Sequence, residues 1–277
     1  MPRGLELVTG RVTAPGATTT ALTANSGNSF AIRSALPNTP IWLLQAWGDF
    51  QAVGFVQIRS PRLHDNVRGI RLDMAVSDVA PLLADGPLQP LFPQDTLVVE
   101  AQGSAVAGDI ETMGMLIYYE QLPGVDARLA TWEQIRALVK HRLTVEATLA
   151  LGTSGDYTGE EAITAESDLL KGNTDYALIG YSVDAECGSI RIRGVDMGNL
   201  GVGGPGNDSI RHYTPSWFKM LSLMTGLPLI PVFNSANRAA ILLDGVQDEN
   251  GTDVTLLLNL VELGPSPALT LPGAAAR

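Results

Sequence analysis

The feature that most constrains the fold of this chain is an internal repeat, because a repeat requires one structural unit to be built twice. When residues 42–59 are placed on residues 176–193, small and apolar residues coincide along the segment, and Trp47 meets Tyr181. The positions that are identical in the two segments are Leu44 and Leu178, Gly54 and Gly188, Ile58 and Ile192, and Arg59 and Arg193.

The features that follow these segments recur in the same order in both halves. Each half continues with a helical pattern that ends in Gly, then a Pro-Leu-x-Pro tetrapeptide at residues 90–93 or 228–231, a strand, a polar turn and a final strand. The final strands are residues 113–119 and 254–260. A tandem duplication of one β domain explains this order, with residues 131–143 as the connector. The alternative is a chance similarity between two β-rich halves.

Most of the sequence between the two ends is of the β type. Short runs of apolar and β-branched residues are separated by Gly, Asn, Asp and Pro, which is typical of strands and turns. The Asn250-Gly251 pair predicts a tight hairpin. The predicted strands are residues 42–47, 53–59, 96–100, 113–119, 176–183, 189–193, 239–243 and 254–261.

Three segments are predicted to be helical. Residues 131–143 open with the spacing of a capping box. Residues 214–224 have Thr214 as a candidate cap, a proline at the first helical position and a glycine after the last turn. Residues 77–84 are followed by a Gly-Pro pair. These helices are short, so they are expected in the loops and in the connector.

Composition excludes several classes of protein. Hydrophobic residues make up 45% of the chain and charged residues only 17%, so disorder is excluded. A single cysteine excludes a disulfide scaffold. A net charge of −11 argues against a general nucleic-acid binder. The chain shows no signal-peptide pattern and no apolar run near the roughly 20 residues of a membrane span, so we expect a soluble protein made in a cytoplasm.

The sequence divides into two units with an extension at each end. Residues 1–40 form an N-terminal arm and first strand region, rich in Pro, Thr and Ser, with three Arg and one Glu and thus a net charge of +2. Residues 41–130 form the first unit, 131–143 the connector and 144–263 the second unit. Residues 264–277 are a Pro- and Ala-rich tail. Both ends are expected to be extended or flexible unless a partner orders them.

This layout across residues 41–263 resembles the double jelly-roll major capsid proteins of tailless icosahedral phages and viruses. The resemblance rests on the order of features and on no diagnostic motif. It implies an all-β fold of two tandem eight-stranded jelly-roll barrels, with a few short helices in loops and linker. It also implies a homotrimer whose six barrels form a pseudo-hexagonal capsomer, with the N-terminal arm on the inner side of the shell.

The residues that most often carry chemistry are scattered along the chain. His64, His141 and His212 form no pair with metal-ligand spacing, so a metal site built on them is disfavoured, and His64 is expected in a solvated loop. Cys187 aligns with Val53, which favours a small buried site over a reactive thiol. The segment Gly201–Gly206 matches a dinucleotide fingerprint by letter. Pro205 interrupts it, and no helix follows directly, so a flexible loop or a subunit contact is predicted.

Two acidic segments invite a functional interpretation. Residues 248–253 resemble part of a calcium loop but lack a later bidentate carboxylate, so a hairpin turn is favoured, with a bound cation as the alternative. Asp156, Glu160 and Glu161 offer a carboxylate pair without an aromatic cleft. The sequence thus names no catalytic, cofactor-binding or metal-binding residue and predicts a protein that is not an enzyme. The aromatic residues expected to pack in the core, with a subunit interface as the alternative, are Trp42, Trp47, Trp132, Trp217 and Phe218.

These observations lead to one main hypothesis and two alternatives. The main hypothesis is a major capsid subunit found in the virion and assembled in a host cytoplasm. Its partners would be its own copies, neighbouring capsomers and other virion proteins, with a weak contact of residues 1–40 to membrane lipid or genome and no small-molecule substrate. The first alternative is an accessory virion protein, such as a decoration, spike or tail component. The second is a β-sandwich protein that binds or cleaves carbohydrate.

Overall fold

The structure of the chain is a computed structural model that describes residues 2–36, 38–63, 69–74, 88–163, 170–206, 212–246 and 253–269. These residues form four antiparallel sheets and a few short helices, which confirms the all-β class. No helix in these ranges is long and apolar enough to cross a membrane. The predicted helix 77–84, His64, and the turn at residues 248–251 lie outside the described residues.

The N-terminal half supplies two of the sheets. Sheet 1 has five strands in the order β3-β1-β9-β4-β7, and sheet 2 has four in the order β2-β8-β5-β6. The strands are β1 (Gly4–Thr13), β2 (Thr20–Ala21), β3 (Thr23–Ala24), β4 (Ile41–Asp49), β5 (Gly54–Arg59), β6 (Ile70–Met74), β7 (Gln89–Leu91), β8 (Val98–Gln102) and β9 (Ile110–Tyr119).

The C-terminal half supplies the other two sheets. Sheet 3 has five strands in the order β10-β16-β13-β18-β11, and sheet 4 has four in the order β12-β17-β14-β15. The elements are β10 (Leu129–Ala130), α1 (Trp132–Ile135), β11 (His141–Leu149), β12 (Tyr157–Ala162), β13 (Thr174–Val183), β14 (Cys187–Arg193), β15 (Gly201–Gly206), α2 (Trp217–Thr225), β16 (Ile230–Asn234), β17 (Leu242–Val246) and β18 (Val254–Pro265).

The strand order of the first half recurs in the second. The order β1-β9-β4-β7 corresponds to β11-β18-β13-β16, and β2-β8-β5-β6 corresponds to β12-β17-β14-β15. Strands β4 and β13, which occupy corresponding places, also shift register against the final strands β9 and β18. The shift lies between Leu43 and Gln45 in β4 and between Leu178 and Gly180 in β13. A bulge changes the direction of side chains locally, so its recurrence is a second structural sign of the repeat.

Two apolar clusters form the core. One lies between sheets 1 and 2. The larger one fills the space between sheets 3 and 4 and also takes in the other face of sheet 1. Strand β1 shows this division, because Val8 belongs to the first cluster and Leu5 and Leu7 belong to the second. Successive side chains of a strand point to opposite faces, so sheet 1 is buried on both sides.

The N-terminal region is more ordered than the expected arm. Strand β1 lies between β3 and β9 and pairs with β9 along its whole length, from Gly4 to Thr13. The polar residues of β1 obscured the strand pattern in the sequence, but their hydrogen-bond partners lie close to them in the folded structure. The Glu6 carboxylate accepts hydrogen bonds from Arg33 and from the Tyr119 hydroxyl, and the Thr9 hydroxyl donates to the side chain of Asn28.

The connector is helical over a much shorter stretch than predicted. The Thr131–Gln134 capping box is confirmed, but helix α1 spans only Trp132–Ile135. Residues of the expected helix from His141 onward belong instead to β11, which pairs with β18 along its whole length. Alternation of buried and exposed residues in β11 fits a half-buried strand, so this long-range pairing overrides the local helical spacing.

Two further local predictions need correction. The segment Gly201–Gly206, expected as a flexible loop, is the buried strand β15 of sheet 4. Helix α2 forms as predicted, and Gly226 ends it in the left-handed conformation with φ of 70°. Thr214 does not cap it: residues 214–216 form a 3-10 turn before α2, and the cap position of the helix is Ser216, without a side-chain hydrogen bond.

Glycine in β15 is required by close packing, which gives a direct test of the fold. A Cβ at Gly203 would collide with the carbonyl oxygen of Ile190 and come within 3.0 Å of Leu7 Cδ2. We expect Gly203→Ala to lower the free energy of unfolding by about 2 kcal/mol or more, measured by urea denaturation. Gly172→Ala is the matched control, because a Cβ there has no neighbour within 4 Å. Equal stability of the two variants would contradict the position of β15.

Candidate functional site: the interface between the two halves

The candidate site is the contact between sheet 1 of the first half and sheet 4 of the second, which we call the inter-half interface. Strand β1 lies against β15, and β9 lies against β14 and β15. Leu7 packs over Gly203, and Gly188 packs over Thr112, with both glycines so close to their neighbours that a Cβ would clash or crowd them. The absence of side chains on β14 and β15 at these points allows the two sheets to approach closely.

Trp47 is the largest side chain that crosses this interface. It is fully buried, and its Nε1 donates to the Gly188 carbonyl at 3.1 Å and to Ser189 Oγ at 3.0 Å. Its ring meets Trp217 edge-on, with centroids 6.1 Å apart and an interplanar angle of 90°. Such aromatic pairs contribute about 0.5–1.5 kcal/mol beyond their buried area. Gly114 on β9 leaves room for the indole, since a Cβ there would collide with it.

A buried ion pair lies in sheet 4 at the margin of the interface. Arg191 Nε and Nη2 donate to the two carboxylate oxygens of Asp244 at 2.9 and 2.6 Å, and both side chains are less than a tenth exposed. The guanidinium carbon lies 3.3 Å from the centre of the Tyr157 ring. The remaining Nη1 donates to the Ser26 carbonyl at 3.2 Å. Arg191 therefore joins the ion pair of the second half to the N-terminal region.

The N-terminal region is attached to the second half through Asp156. The backbone N–H and the hydroxyl of Ser26 donate to its carboxylate at 2.8 and 2.9 Å, and Arg11 Nη1 lies 2.8 Å away. Burial on its own raises the pKa of Asp156, but the hydrogen bonds from Ser26 and Tyr157 and the charge of Arg11 outweigh it, so the pKa lies below its ordinary value. The ionised carboxylate thus favours the folded contact. Next to it, Asn25 Nδ2 donates to the Gly155 carbonyl at 3.0 Å.

A half-open polar cavity of about 380 Å³ lies beside this network and is lined by both halves. The charged side chains that line it pair with one another. Arg33 Nη2 lies 2.6 Å from Glu6, Arg193 contacts Glu160, and Arg193 also lies 3.5 Å from Asp244. The hydrogen bond to Glu6 raises the pKa of Arg33, and burial raises that of Tyr157. Each of these ion pairs lies within one half, so the charges that line the cavity are already balanced on either side of it.

The histidines that the sequence singles out are not brought together. His141 is exposed at the start of β11, His212 is exposed shortly before α2, and His64 is outside the described residues. Within the described ranges, no group of three or more His, Cys, Asp or Glu side chains could hold a metal ion. Cys187 is buried in β14, against the Gly206 backbone. This position agrees with the small buried site predicted for it.

The acidic residues that the sequence analysis singled out contact different parts of the structure. Asp156 binds Ser26 and Arg11 across the inter-half interface, whereas Glu160 binds Arg193 of its own half beside the cavity. Glu161 lies on β12, opposite Leu243 of β17. Asp253 is exposed just before β18, and the rest of the predicted turn is not described. Packing roles are confirmed for Trp47, Trp217 and Phe218, which are fully buried, whereas Trp42 and Trp132 are partly buried against the larger cluster.

Sequence reasoning missed the residues that join the two halves. It aligned Arg59 with Arg193, and in the structure both arginines lie beside a carboxylate of the neighbouring strand, Glu100 in sheet 2 and Asp244 in sheet 4. The identity of Arg59 and Arg193 was the signal that the corresponding faces of sheets 2 and 4 both carry paired charges. The contacts of Ser26 with the second half left no signal in the sequence, because they join residues far apart in the chain and two of them use the Ser26 backbone.

No protein-family model matches the chain, and no curated protein matches it. Among solved structures, the PBSX exported protein XepA is 11% identical, with a TM-score of 0.21 over 90% of this chain and 88% of that chain. The mosquito-larvicidal Cry4Aa toxin from Bacillus thuringiensis is 9% identical, with a TM-score of 0.18 over 95% of this chain and 52% of that chain. These scores are too low to support an argument about fold or function.

The buried pair of Arg191 and Asp244 can be tested by a double-mutant cycle. We expect Arg191→Met to lower the free energy of unfolding by about 3–5 kcal/mol, because it leaves Asp244 buried without its main partner. Adding Asp244→Leu should recover part of this loss, since no buried charge then remains unpaired. Denaturant unfolding measures both. Arg136→Met, which breaks an exposed ion pair with Glu133, is the control and should cost less than about 1 kcal/mol. A double variant no more stable than Arg191→Met would contradict the argument.

The lowered pKa of Asp156 predicts a stability contribution that depends on pH. The contribution is fully present above the pKa of an unfolded Asp, about 3.9, and is lost as the pH falls through the lower folded-state pKa. Asp156→Asn should therefore lower the melting temperature at pH 6, and the gap to the native protein should close under strongly acidic conditions. Asp73→Asn is the control, because that carboxylate is mostly exposed. A gap that is constant over this pH range would refute the assignment.

Proposed function

We propose that the protein is a major capsid subunit, built from two jelly-roll barrels and assembled as trimers that tile an icosahedral shell. The observation that carries this proposal is the strand order. A jelly roll has eight strands in two sheets, with strands 1-8-3-6 in one and 2-7-4-5 in the other. Leaving out β3, the first half reads β1-β9-β4-β7 and β2-β8-β5-β6, which follows this order strand by strand.

The second half supports the proposal in the same way. Without the added strand β10, its sheets read β11-β18-β13-β16 and β12-β17-β14-β15, again in the jelly-roll order. Two consecutive units of the same topology in one chain are the layout of the double jelly-roll capsid proteins that the sequence resembles. Three such chains would give six barrels of similar shape, which suits a closed ring that can tile a surface.

The inter-half interface also suits a shell subunit. Trp47, Arg191 and the contacts of Ser26 join the two units into one body, rather than leaving them as domains on a flexible linker. A shell needs subunits that keep their shape while they bear contacts on several sides. The proposed partners are other copies of the chain and other virion proteins, and the proposed location is the virion.

The contact of residues 1–40 with lipid or genome stays a prediction, and the fold limits which of these residues are free to make it. Strand β1 is inside sheet 1, and Ser26 is bound to the second half. Arg11, one of the basic residues of this region, is paired with Asp156. Any such contact would therefore be weak and sensitive to salt, because the net charge of residues 1–40 is only +2 and Arg11 and Arg33 are paired within the chain.

The oligomeric state of the purified protein tests the proposed function. We expect a trimer with a mass of three times 29.3 kDa by sedimentation velocity, and six-lobed particles by negative-stain electron microscopy. Copy number in isolated particles then separates a major subunit from an accessory one, because the major subunit must be the most abundant protein. A protein that stays monomeric at every soluble concentration would overturn the proposal.

A further inference from the structure

The polar cavity beside the inter-half interface has the size and the position of a ligand site. Its volume of about 380 Å³ lies within the range of small-molecule sites, which form preferentially where two structural units meet. The first half lines the cavity with Glu6, Arg33 and residues 26–28. The second half lines it with residues of β12, β14 and β15 and with Asp244 of β17. A molecule in this cavity would therefore contact both halves.

The charges of the cavity wall sum to zero among the described lining residues. The arginines are Arg33, Arg191 and Arg193, and the carboxylates are those of Glu6, Glu160 and Asp244. Each arginine has a carboxylate partner in its own half. A charged ligand would lose its hydration here without an opposite charge left to compensate it. Leu200 is the single aliphatic side chain in the described part of the wall, so the lining favours an uncharged, polar ligand.

The geometry points to a binding site for a neutral saccharide in this cavity. A hydroxyl group both donates and accepts hydrogen bonds, and an arginine beside a carboxylate presents donors next to acceptors. Two such pairs line the cavity, Arg33 with Glu6 from the first half and Arg193 with Glu160 from the second. Hydrogen bonds to charged groups are stronger than those between neutral groups, so these pairs can hold the hydroxyls of a sugar from two sides. This site goes beyond the proposed capsid function and does not depend on it.

One donor of the cavity wall lacks a partner in the protein. Arg193 Nε is buried and has no hydrogen-bond partner within the described structure. A buried donor without a partner costs free energy, and a ligand hydroxyl that accepts its hydrogen bond recovers that cost. Asn199, which also lines the cavity, is an exposed residue with a side-chain amide that can donate and accept. These groups add hydrogen-bonding capacity to the two ion pairs.

The cavity wall is held in place by contacts within the protein. Arg191 is fixed by its two hydrogen bonds to Asp244 and by the ring of Tyr157. On the other side of the cavity, Ser26 is fixed by its two hydrogen bonds to the carboxylate of Asp156. Side chains that are already ordered lose little conformational entropy when a ligand binds. The wall is therefore suited to a ligand as small as a disaccharide.

Titration of the purified full chain with neutral disaccharides tests this site. Maltose, lactose and cellobiose are the probes, and ligand-observed NMR and calorimetry measure their binding. We expect at least one of them to bind the native protein with a dissociation constant of about 1 mM or lower. Inorganic phosphate and protonated glucosamine should not displace it, because both carry a charge that the balanced wall does not compensate.

Substitutions on the two sides of the cavity locate the bound sugar. Glu160→Gln removes one charge from the second half, and Arg33→Gln removes one from the first half. We expect each to raise the dissociation constant at least about tenfold, because the sugar hydroxyls lose a charged partner. Glu133→Gln and Arg136→Gln are the matched controls, since they make the same changes in an exposed ion pair outside the cavity. Thermal unfolding confirms that each variant is folded.

Each outcome of these titrations supports or overturns the site. If none of the three disaccharides reaches the expected affinity, or if a folded cavity variant binds as tightly as the native protein, there is no saccharide site between the halves. Displacement by phosphate, or preference for a neutral blocked tripeptide over every disaccharide, would overturn the class of ligand. Binding needs only a folded chain, so a protein that binds a disaccharide but stays monomeric would keep this site and lose the proposed function.

Discussion

The close approach of sheet 1 to sheet 4 is the constraint on which the rest of the structure depends. Packed sheets ordinarily lie about 10 Å apart, with side chains from both filling the space between them. Here β14 and β15 present glycines to sheet 1, and a Cβ at Gly203 or Gly188 would meet its neighbours at contact distance or closer. The space that these glycines leave is occupied from the other side by Leu7 and Trp47, so both halves share one core.

This shared core explains why polar groups concentrate at its margin. A sheet that is buried on both faces leaves no solvent for polar side chains, so each must find a partner within the protein. Glu6 is satisfied by Arg33 and Tyr119, and Asp244 by Arg191 and Arg193. Each of these pairs lies within one half beside the cavity between the halves, and the apolar side chains supply most of the stabilisation.

The sequence predicted the fold where side-chain periodicity is strong. Each of the predicted β runs contains a strand or the start of one, because alternating apolar residues are a local property. The sequence-based prediction failed where contacts between distant residues determine the local structure. Strand β15 is composed mostly of glycine and has no pattern of its own, and its conformation follows from pairing with β14. The buried polar residues of β1 hid that strand for the same reason, since their partners are distant in sequence.

Alignment of the repeat by sequence also misplaced one pair of aromatic residues. Trp47 and Tyr181 coincide in the sequence, yet Trp47 points away from sheet 2 towards Ser189 of the other half, whereas the Tyr181 hydroxyl donates to the Pro205 carbonyl of its own half. A shift of one residue moves a side chain to the opposite face of a strand. Chemical similarity could not reveal this shift, because both residues are large, aromatic and fully buried.

The corresponding faces of sheet 1 and sheet 3 differ in a way that fits their different surroundings. The bulges that recur in β4 and β13 place Leu7 and Leu116 of sheet 1 in correspondence with Thr144 and Asn259 of sheet 3. The face that is sealed within the chain is apolar, as expected of a permanent interface. Its counterpart, which a free copy exposes to water, carries hydroxyl and amide groups instead. An apolar face of that size left open to water would favour aggregation, which explains why the two corresponding faces differ in composition.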